Sequence, residues 1–238
     1  MSSERVSTAQ VGLLALFVTA LVTAQVTAAK VLAFSLPFSL PVAGATLTLP
    51  GAALAYALTF FASDCYAELY GRRAAQVMVN VAFVMNFVLL ALVWSTILAP
   101  AAGTSIDPTT FRQVLGSSTN IVAGSLVAYL VSQNWDVVVF DRLRRATGGD
   151  HLWLRNIAST ASSQAIDTVI FVSLAFYVVP NALGVGAALP PSVVASLVVG
   201  QYVLKLLIAL VDTPVVYAVV AFARSRDGSQ DAYVTGTR

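Results

Sequence analysis

Six long apolar stretches constrain the fold of this chain more than any other feature of its sequence. Each is about 20 residues or longer, the length that an α-helix needs to cross the roughly 30 Å hydrocarbon core of a bilayer. Period-2 alternation is weak, and a helix satisfies its own backbone hydrogen bonds, so helices are favoured over a β-barrel. The sequence therefore predicts an all-α polytopic membrane bundle of six transmembrane helices, over residues 11–34, 51–70, 74–99, 120–140, 157–179 and 193–222.

The composition excludes several other classes of protein. Of the 238 residues 58% are hydrophobic and only 10% are charged, against about 25% charged in an ordinary soluble domain. That rules out a soluble enzyme, a disordered chain and a nucleic-acid binder with a basic face. The single cysteine, Cys65, excludes a disulfide scaffold. Because the only histidine, His151, has no cluster of ligands around it in the sequence, no metal or other cofactor is expected.

The distribution of basic residues predicts how the chain is oriented. With the N-terminus inside, the outer loops hold one basic residue, Arg112, and positive charge concentrates on the cytoplasmic side. This predicts a multi-pass protein of a prokaryotic inner membrane with both termini in the cytoplasm. Residues 1–223 form one transmembrane domain, and residues 224–238 form a polar, disordered cytoplasmic tail. The inner basic residues are Arg5, Arg72, Arg73, Arg142, Arg144, Arg145, Arg155, Arg224, Arg226 and Arg238.

Ionisable side chains inside the apolar stretches are the main candidates for function. A central Asp or Lys costs about 2.5 to 3.5 kcal/mol on insertion scales. Several such groups are expected to face the interior of the bundle, where they pair or line a polar pathway. They are Lys30, Asp64, Glu68, Asp136, Asp167, Lys205 and Asp212.

The spacing of these groups arranges them in polar patches on single helix faces. Gln supplies donors and acceptors, carboxylates supply acceptors, and nearby aromatic rings can stack on a planar solute. Together these groups can bind a flat small molecule that carries an amide edge. The patches pair Asp64 with Glu68, Gln133 with Asp136, Gln164 with Asp167, and Gln201 with Lys205, and the aromatic candidates are Trp135 and Phe171.

A short internal repeat links two consecutive helices. The pattern S-Q-x-x-D-x-x-x-F occupies residues 132–140 and recurs 31 residues later at 163–171. The two helices run in opposite directions across the membrane. Inverted repeats are a known plan of transporters, so six spans could divide into two inverted three-helix halves.

Three motifs in order resemble one family. The segment D-x-x-x-E-x-Y-G at 64–71, the W-x-R…S-Q-x-x-D-T segment at 153–171 and its companion at 132–140 are similar to the signatures of the queuosine-precursor transporter family, the YhhQ-type vitamin-uptake transporters. The resemblance implies import of 7-deazaguanine bases (7-cyano- or 7-aminomethyl-7-deazaguanine), precursors of modified tRNA nucleosides. The implied substrate is a purine-like small molecule. Our hypothesis is that Asp64, Glu68 and Asp167 bind the edge of the base, with Lys30 and Lys205 on flanking helices.

Several alternatives stay open from the sequence. Transport by alternating access could be coupled to protons or driven by downstream use of the base. The chain could instead be a substrate-capture subunit for a separate ATPase module, and it could form a homo-oligomer. There are two other hypotheses. One is an intramembrane aspartyl hydrolase that uses Asp136 and Asp167. The other is a structural membrane subunit in which every buried charge is paired. Salt bridges to nearby arginines are the simpler explanation for Glu68 and Asp136.

Overall fold

The computed structural model describes residues 7–147 and 152–235, without the side chains of 152–156, 212–213 and 223–235. Helices predominate, with one β-hairpin and one π-helical segment, Leu174–Val178. The strands are β1 (Val31–Leu40) and β2 (Gly44–Pro50). The helices are α1 (Thr8–Thr27), α2 (Ala53–Tyr70), α3 (Arg72–Leu98), α4 (Pro108–Gly116), α5 (Ser118–Ala146), α6 (Leu152–Ser173), α7 (Val179–Leu183) and α8 (Pro191–Thr235).

The helical membrane fold predicted from the sequence is confirmed, but the count of six spans is not. Within the described residues, five helical stretches are long and apolar enough to cross a membrane. Helix α2 has 18 residues, but Asp64 and Glu68 lower its hydropathy, so its role as a span stays a prediction. The five stretches are Thr8–Thr27, Arg72–Leu98, Pro108–Ala146, Ile157–Leu183 and Pro191–Val211.

The β-hairpin corrects the predicted end of the first span. Helix α1 ends at Thr27, and residues 31–40 pair antiparallel with β2 instead of continuing the helix to residue 34. Pro37 and Pro41 cannot continue a helix, because proline lacks the N–H and clashes with the preceding turn. The placement of Lys30 inside helix one is therefore wrong. Lys30 is exposed at the base of the hairpin, where its carbonyl accepts a hydrogen bond from Gly51 N at 2.6 Å.

The chain divides into two compact units. The first unit comprises Met1–Ala24, Ala53–Leu89 and Lys205–Arg238. Its core packs Phe17 and Leu21 of α1 against Ala62 and Tyr66 of α2 and Met78 of α3. Helices α2 and α3 are joined by a single residue, Gly71, whose φ of 89° lies in the left-handed region that favours glycine. This tight turn between the second and third helices agrees with the short break predicted there.

The buried thiol of the first unit belongs to a second small cluster. Cys65 is fully buried and packs with Val216 and Val220 of α8. Two tyrosine hydroxyls of α2 make polar contacts with the beginning of the chain: Tyr70 OH lies 2.7 Å from Ser7 Oγ, and Tyr66 OH accepts from Gln10 Nε2 at 3.1 Å. These contacts hold the start of α1 to α2.

The second unit comprises Gln25–Ala52 and Leu90–Leu204. Its centre is the long pair α5 and α6, which approach closely where Gly124 lacks a side chain. A Cβ there would lie 3.1 Å from Phe171 O and from the Ala175 backbone nitrogen. At Gly200, α8 touches the backbone of Thr48 in β2. The prediction that residues 224–238 form a cytoplasmic tail stays a prediction; α8 runs to Thr235, and residues 236–238 lie outside the described part.

Asp107 precedes the Pro108–Ala146 stretch and supplies a pH-dependent cap for the first turn of α4. The Thr110 backbone N–H and hydroxyl donate to Asp107 Oδ2 at 2.8 and 2.9 Å. These hydrogen bonds hold the pKa of the Asp107 carboxyl below its usual 3.8. The bond from the Thr110 backbone N–H has the larger effect, and the bond from its hydroxyl has the smaller one. A carboxyl with a lowered pKa contributes stability above its unfolded pKa and loses it as the pH falls through the folded value.

We therefore expect the Thr110 amide to lose protection from hydrogen exchange as the pH is lowered through the range below 3.8. The variant Asp107→Asn keeps a capping acceptor but cannot titrate. It is expected to show a flat response over the same range. An equal pH response in both proteins would contradict this role of Asp107.

Candidate functional site

The two copies of the internal repeat meet on the α5–α6 pair through reciprocal hydrogen bonds. Ser132 Oγ donates to Asp167 Oδ1 at 3.3 Å. Ser163 Oγ donates to Asp136 Oδ1, also at 3.3 Å. The serine of each repeat thus contacts the aspartate of the other.

This arrangement follows from the spacing of the repeat on two antiparallel helices. Within each copy the serine and aspartate are four residues apart, so both side chains lie on one helix face. When two such faces meet antiparallel, each serine lies opposite the aspartate of its neighbour. The α5–α6 contact therefore has local pseudo-twofold symmetry, although the sequence repeat is only nine residues long.

The serines share a second feature that supports this symmetry. Ser132 Oγ also lies 3.3 Å from the Tyr129 carbonyl oxygen, and Ser163 Oγ lies 3.1 Å from that of Thr160. Each hydroxyl is thus positioned by the preceding turn of its own helix. The two serines are buried, at 5% and 7% exposure, whereas Asp136 and Asp167 are half-buried. Each half-buried carboxylate therefore accepts a hydrogen bond from a buried hydroxyl.

The remaining predicted residues of the second unit that flank the repeats lie on the same two helices. Gln133 is exposed and Gln164 is half-buried. Trp135 is exposed, and its Nε1 donates to Ser162 Oγ at 3.1 Å, which adds a third hydrogen bond between α5 and α6. Phe171 is half-buried and makes an edge-to-face contact with Phe176 at a centroid distance of 6.0 Å. These four residues and the two aspartates therefore lie on one helix pair, as the repeat predicted.

The other predicted residues lie elsewhere in the chain. Asp64 and Glu68 are exposed on α2 in the first unit. Lys205 on α8 is buried, at 7% exposure. Gln201, one turn earlier on α8, is 8% exposed, and its Oε1 has no hydrogen-bond partner within the described residues. Lys30 lies at the hairpin, and the side chain of Asp212 lies outside the described residues.

The two serines were part of the sequence motif but were not predicted as functional residues. The signal was present, because a serine stands four residues before the aspartate in both copies. Hydropathy and charge draw attention to carboxylates, and a serine in a membrane helix is usually read as a packing residue. In the part of the chain that the structure describes, no three His, Cys, Asp or Glu side chains cluster in a way that could hold a metal ion.

Comparison with known proteins adds the family. Residues 50–219, which include both repeats, match the sequence model of the family described as "Putative vitamin uptake transporter". The chain belongs to the vitamin uptake transporter family. It is a membrane transporter, and the predicted family resemblance and the prediction that it is not an enzyme are confirmed. The hypotheses of an intramembrane hydrolase and of a structural membrane subunit are therefore set aside.

One curated relative matches over most of both chains. The protein named "Probable queuosine precursor transporter" from Bacillus subtilis (strain 168) is 34% identical over 176 residues, which cover 74% of this chain and 72% of the relative. No solved structure matches this chain. The family match and the five apolar helical stretches together establish a multi-pass membrane protein that transports a small molecule.

Proposed function

We propose that this chain imports a 7-deazaguanine precursor of queuosine, 7-cyano- or 7-aminomethyl-7-deazaguanine, across a prokaryotic inner membrane. The name of the Bacillus subtilis relative supports the substrate class. The single structural observation that carries the proposal is the reciprocal serine–aspartate contact, which presents two oriented carboxylates from one helix pair. Transport proceeds by alternating access, with the substrate site facing each side of the membrane in turn.

The chemistry of a deazaguanine fits the groups gathered on α5 and α6. Its N1–H and 2-amino group donate together to one carboxylate, in the proposal that of Asp167. Its carbonyl oxygen accepts from the amide of Gln164 or Gln133. The flat ring stacks on Phe171 or Trp135. The buried serine hydroxyls keep each carboxylate in one orientation, so less side-chain entropy is lost when the base binds.

The proposal includes residues outside this helix pair. Asp64 and Glu68 on α2 and Lys205 on α8 stay predicted substrate-binding residues, because each is an ionisable group in an apolar stretch. Lys30 belongs to the entrance instead of a membrane helix, since it is exposed at the hairpin. Both termini are cytoplasmic, residues 1–223 form the transmembrane domain, and residues 224–238 form the tail. The protein works alone, as a homo-oligomer, or as the capture subunit of a separate ATPase module.

Uptake into liposomes tests the function directly. The purified full-length protein is reconstituted, and entry of radiolabelled 7-cyano-7-deazaguanine is followed, with liposomes lacking protein as the control. Saturable uptake that unlabelled deazaguanine competes, and adenine does not, is the expected result. Binding without uptake would favour the capture subunit and overturn import by this chain alone. If the protein neither binds nor takes up the 7-cyano or the 7-aminomethyl compound, the proposed substrate class is overturned.

The pseudo-twofold contact makes a prediction about its two serines. Ser132→Ala and Ser163→Ala each remove one hydroxyl that orients a carboxylate, at a cost of about 1 kcal/mol of binding free energy. We expect each variant to raise the Km for uptake by about fivefold, and the two changes to be similar in size. Ser95→Ala, which removes an exposed hydroxyl on α3 that donates to the Leu92 carbonyl oxygen of its own helix, is the matched control. A wild-type Km in both serine variants would contradict the positioning role.

A further inference from the structure

The Phe171 ring, which the proposed function offers for stacking on the base, packs against a second ring. Phe176 makes an edge-to-face contact with it, at a centroid distance of 6.0 Å and an interplanar angle of 88°. Phe176 is 4% exposed, whereas Phe171 is half-buried. Of the two rings, Phe171 therefore keeps the surface that a bound molecule could contact, and Phe176 supports that ring from inside the protein.

Phe171 continues the row of side chains that carries the serine–aspartate contact. Ser163, Asp167 and Phe171 are spaced four residues apart on α6, so they lie on one face of the helix in successive turns. Gly124 of α5 packs against the turn that begins at Phe171, since a Cβ at Gly124 would lie 3.1 Å from Phe171 O and from the Ala175 backbone nitrogen. The backbone of Phe171 is therefore held against α5, one turn from the Asp167 carboxylate.

The contact between the two rings depends on the π-helical segment. Residues five apart in the sequence lie about 140° apart around a regular α-helix, so side chains at positions 171 and 176 would point in different directions. A π-helix instead joins residues five apart, as the Val179 N–H does when it donates to the Leu174 carbonyl oxygen. This wider turn brings the Phe176 side chain towards the face of the helix that Phe171 occupies.

Pro180 provides a physical reason for the wider turn. A proline in a helix cannot donate a hydrogen bond, and its ring clashes with the carbonyl group four residues earlier, which here is that of Phe176. The Phe176 carbonyl oxygen instead accepts a hydrogen bond from Leu189 N at 2.8 Å, in the connection that follows α7. Phe176 is therefore held at its backbone by Leu189 and at its ring by Phe171.

We propose that Phe176 is a positioning residue of the substrate site, which holds the Phe171 ring in the orientation that stacks on the base without touching the base itself. This inference rests on the proposed function and deepens it, because it assigns the stacking to Phe171. A molecule with two fused rings covers more of the Phe171 ring than a molecule with one ring. The site therefore selects fused-ring bases over single-ring molecules that carry the same hydrogen-bonding edge.

The test compares uptake kinetics in liposomes that contain the full-length protein. Phe176→Leu removes the ring but leaves an apolar side chain in its place. It is expected to raise the Km for labelled 7-cyano-7-deazaguanine about fivefold and to leave the maximal rate unchanged. A purely structural role of Phe176 would instead lower the amount of active protein, and hence the maximal rate, and would leave the Km unchanged.

The matched control makes the same change at another buried phenylalanine. Phe17 is 6% exposed and lies in the core of the first unit. Phe17→Leu is expected to keep the wild-type Km. If Phe176→Leu does not fold, as judged by gel filtration, Phe176→Met takes its place, because a flexible methionine fills a similar space without a ring.

A competing molecule separates ring stacking from recognition of the edge of the base. Isocytosine carries the same N–H, amino and carbonyl edge as a deazaguanine, but on a single ring. Its inhibition constant against labelled uptake is expected to rise by less than about twofold in Phe176→Leu, so the preference for the fused ring falls. Equal rises for both molecules would show that Phe176 affects recognition of the edge, and would overturn its role in positioning a stacking ring.

The remaining outcomes separate this inference from the proposed function. Uptake by the wild-type protein with an unchanged Km in Phe176→Leu would overturn the positioning role and leave import standing. A wild-type Km in Phe171→Leu would overturn stacking on Phe171, and with it this inference, while import would again stand. If the wild-type protein neither binds nor takes up a deazaguanine, both the inference and the proposed function are overturned.

Discussion

Replacing Asp167 with asparagine is expected to reduce uptake of 7-deazaguanine at low concentration by about a hundredfold. Asparagine keeps the size of the side chain but removes the negative charge that accepts the N1–H and 2-amino donors of the base. Hydrogen bonds to charged groups contribute about 1.5 to 3 kcal/mol each, and about 2.7 kcal/mol corresponds to a hundredfold change in affinity. The measurement is the initial rate of labelled uptake divided by concentration, in liposomes with equal amounts of protein.

The matched control is another aspartate on the same helix pair. Asp141 lies on α5, is exposed, and forms a salt bridge with Arg145 one turn later. Exposed pairs of this kind contribute about 0.2 to 1 kcal/mol to stability. Asp141→Asn is therefore expected to transport at close to the wild-type rate. Asp136→Asn, by contrast, is expected to resemble Asp167→Asn because of the pseudo-twofold contact. Uptake by Asp167→Asn within twofold of wild type would remove the assignment of this carboxylate to the substrate.

Replacing Gly200 with alanine is expected to lower the free energy of unfolding by about 2 to 3 kcal/mol. A Cβ at this position would overlap the Thr48 carbonyl oxygen and would lie 3.0 Å from the Thr48 carbonyl carbon and 3.3 Å from its nitrogen. These are backbone atoms of β2, paired with β1 through Ala33, so they cannot rotate away as a side chain could. The hairpin and α8 must separate to admit the methyl group.

Thermal unfolding in detergent measures this effect, with the transition followed by intrinsic fluorescence. The control is Gly12→Ala in α1, where no heavy atom lies within 4 Å of the added Cβ. Alanine is the better helix former by about 1 kcal/mol, so this variant is expected to unfold at or above the wild-type temperature. A Gly200→Ala protein that unfolds at the wild-type temperature would show that β2 and α8 do not touch at this glycine in solution.

The sequence was a good guide to the polar faces of α5 and α6 for a physical reason. Spacing on one helix decides which side chains share a face, and the serine–glutamine–aspartate pattern therefore predicted polar patches on α5 and α6. Phe171 and Trp135 were chosen as aromatic candidates because they lie near these patches in the sequence. The sequence could not predict that Phe171 packs on Phe176. That contact depends on the π-helical segment, in which Phe176 lies.

The hairpin shows where sequence reasoning failed. Residues 31–40 are apolar, and hydropathy alone does not distinguish the end of a helix from a buried strand. Pro37 and Pro41 favoured the end of the helix. The strand, however, depends on pairing with β2 and on the absence of a side chain at Gly200, which lies beside the Thr48 backbone. Lys30 was assigned to a membrane helix because of this ambiguity.

Local sequence was sufficient to establish a membrane protein of many helices, its transporter family and the faces that carry charge, because hydropathy, charge and spacing are properties of single segments. Only the tertiary structure decided that Ser132 contacts Asp167 and Ser163 contacts Asp136. The face of a helix is set by its own residues, but the register in which two faces meet depends on the packing of both helices. Glycines such as Gly124, which allow α5 and α6 to approach closely, set that register.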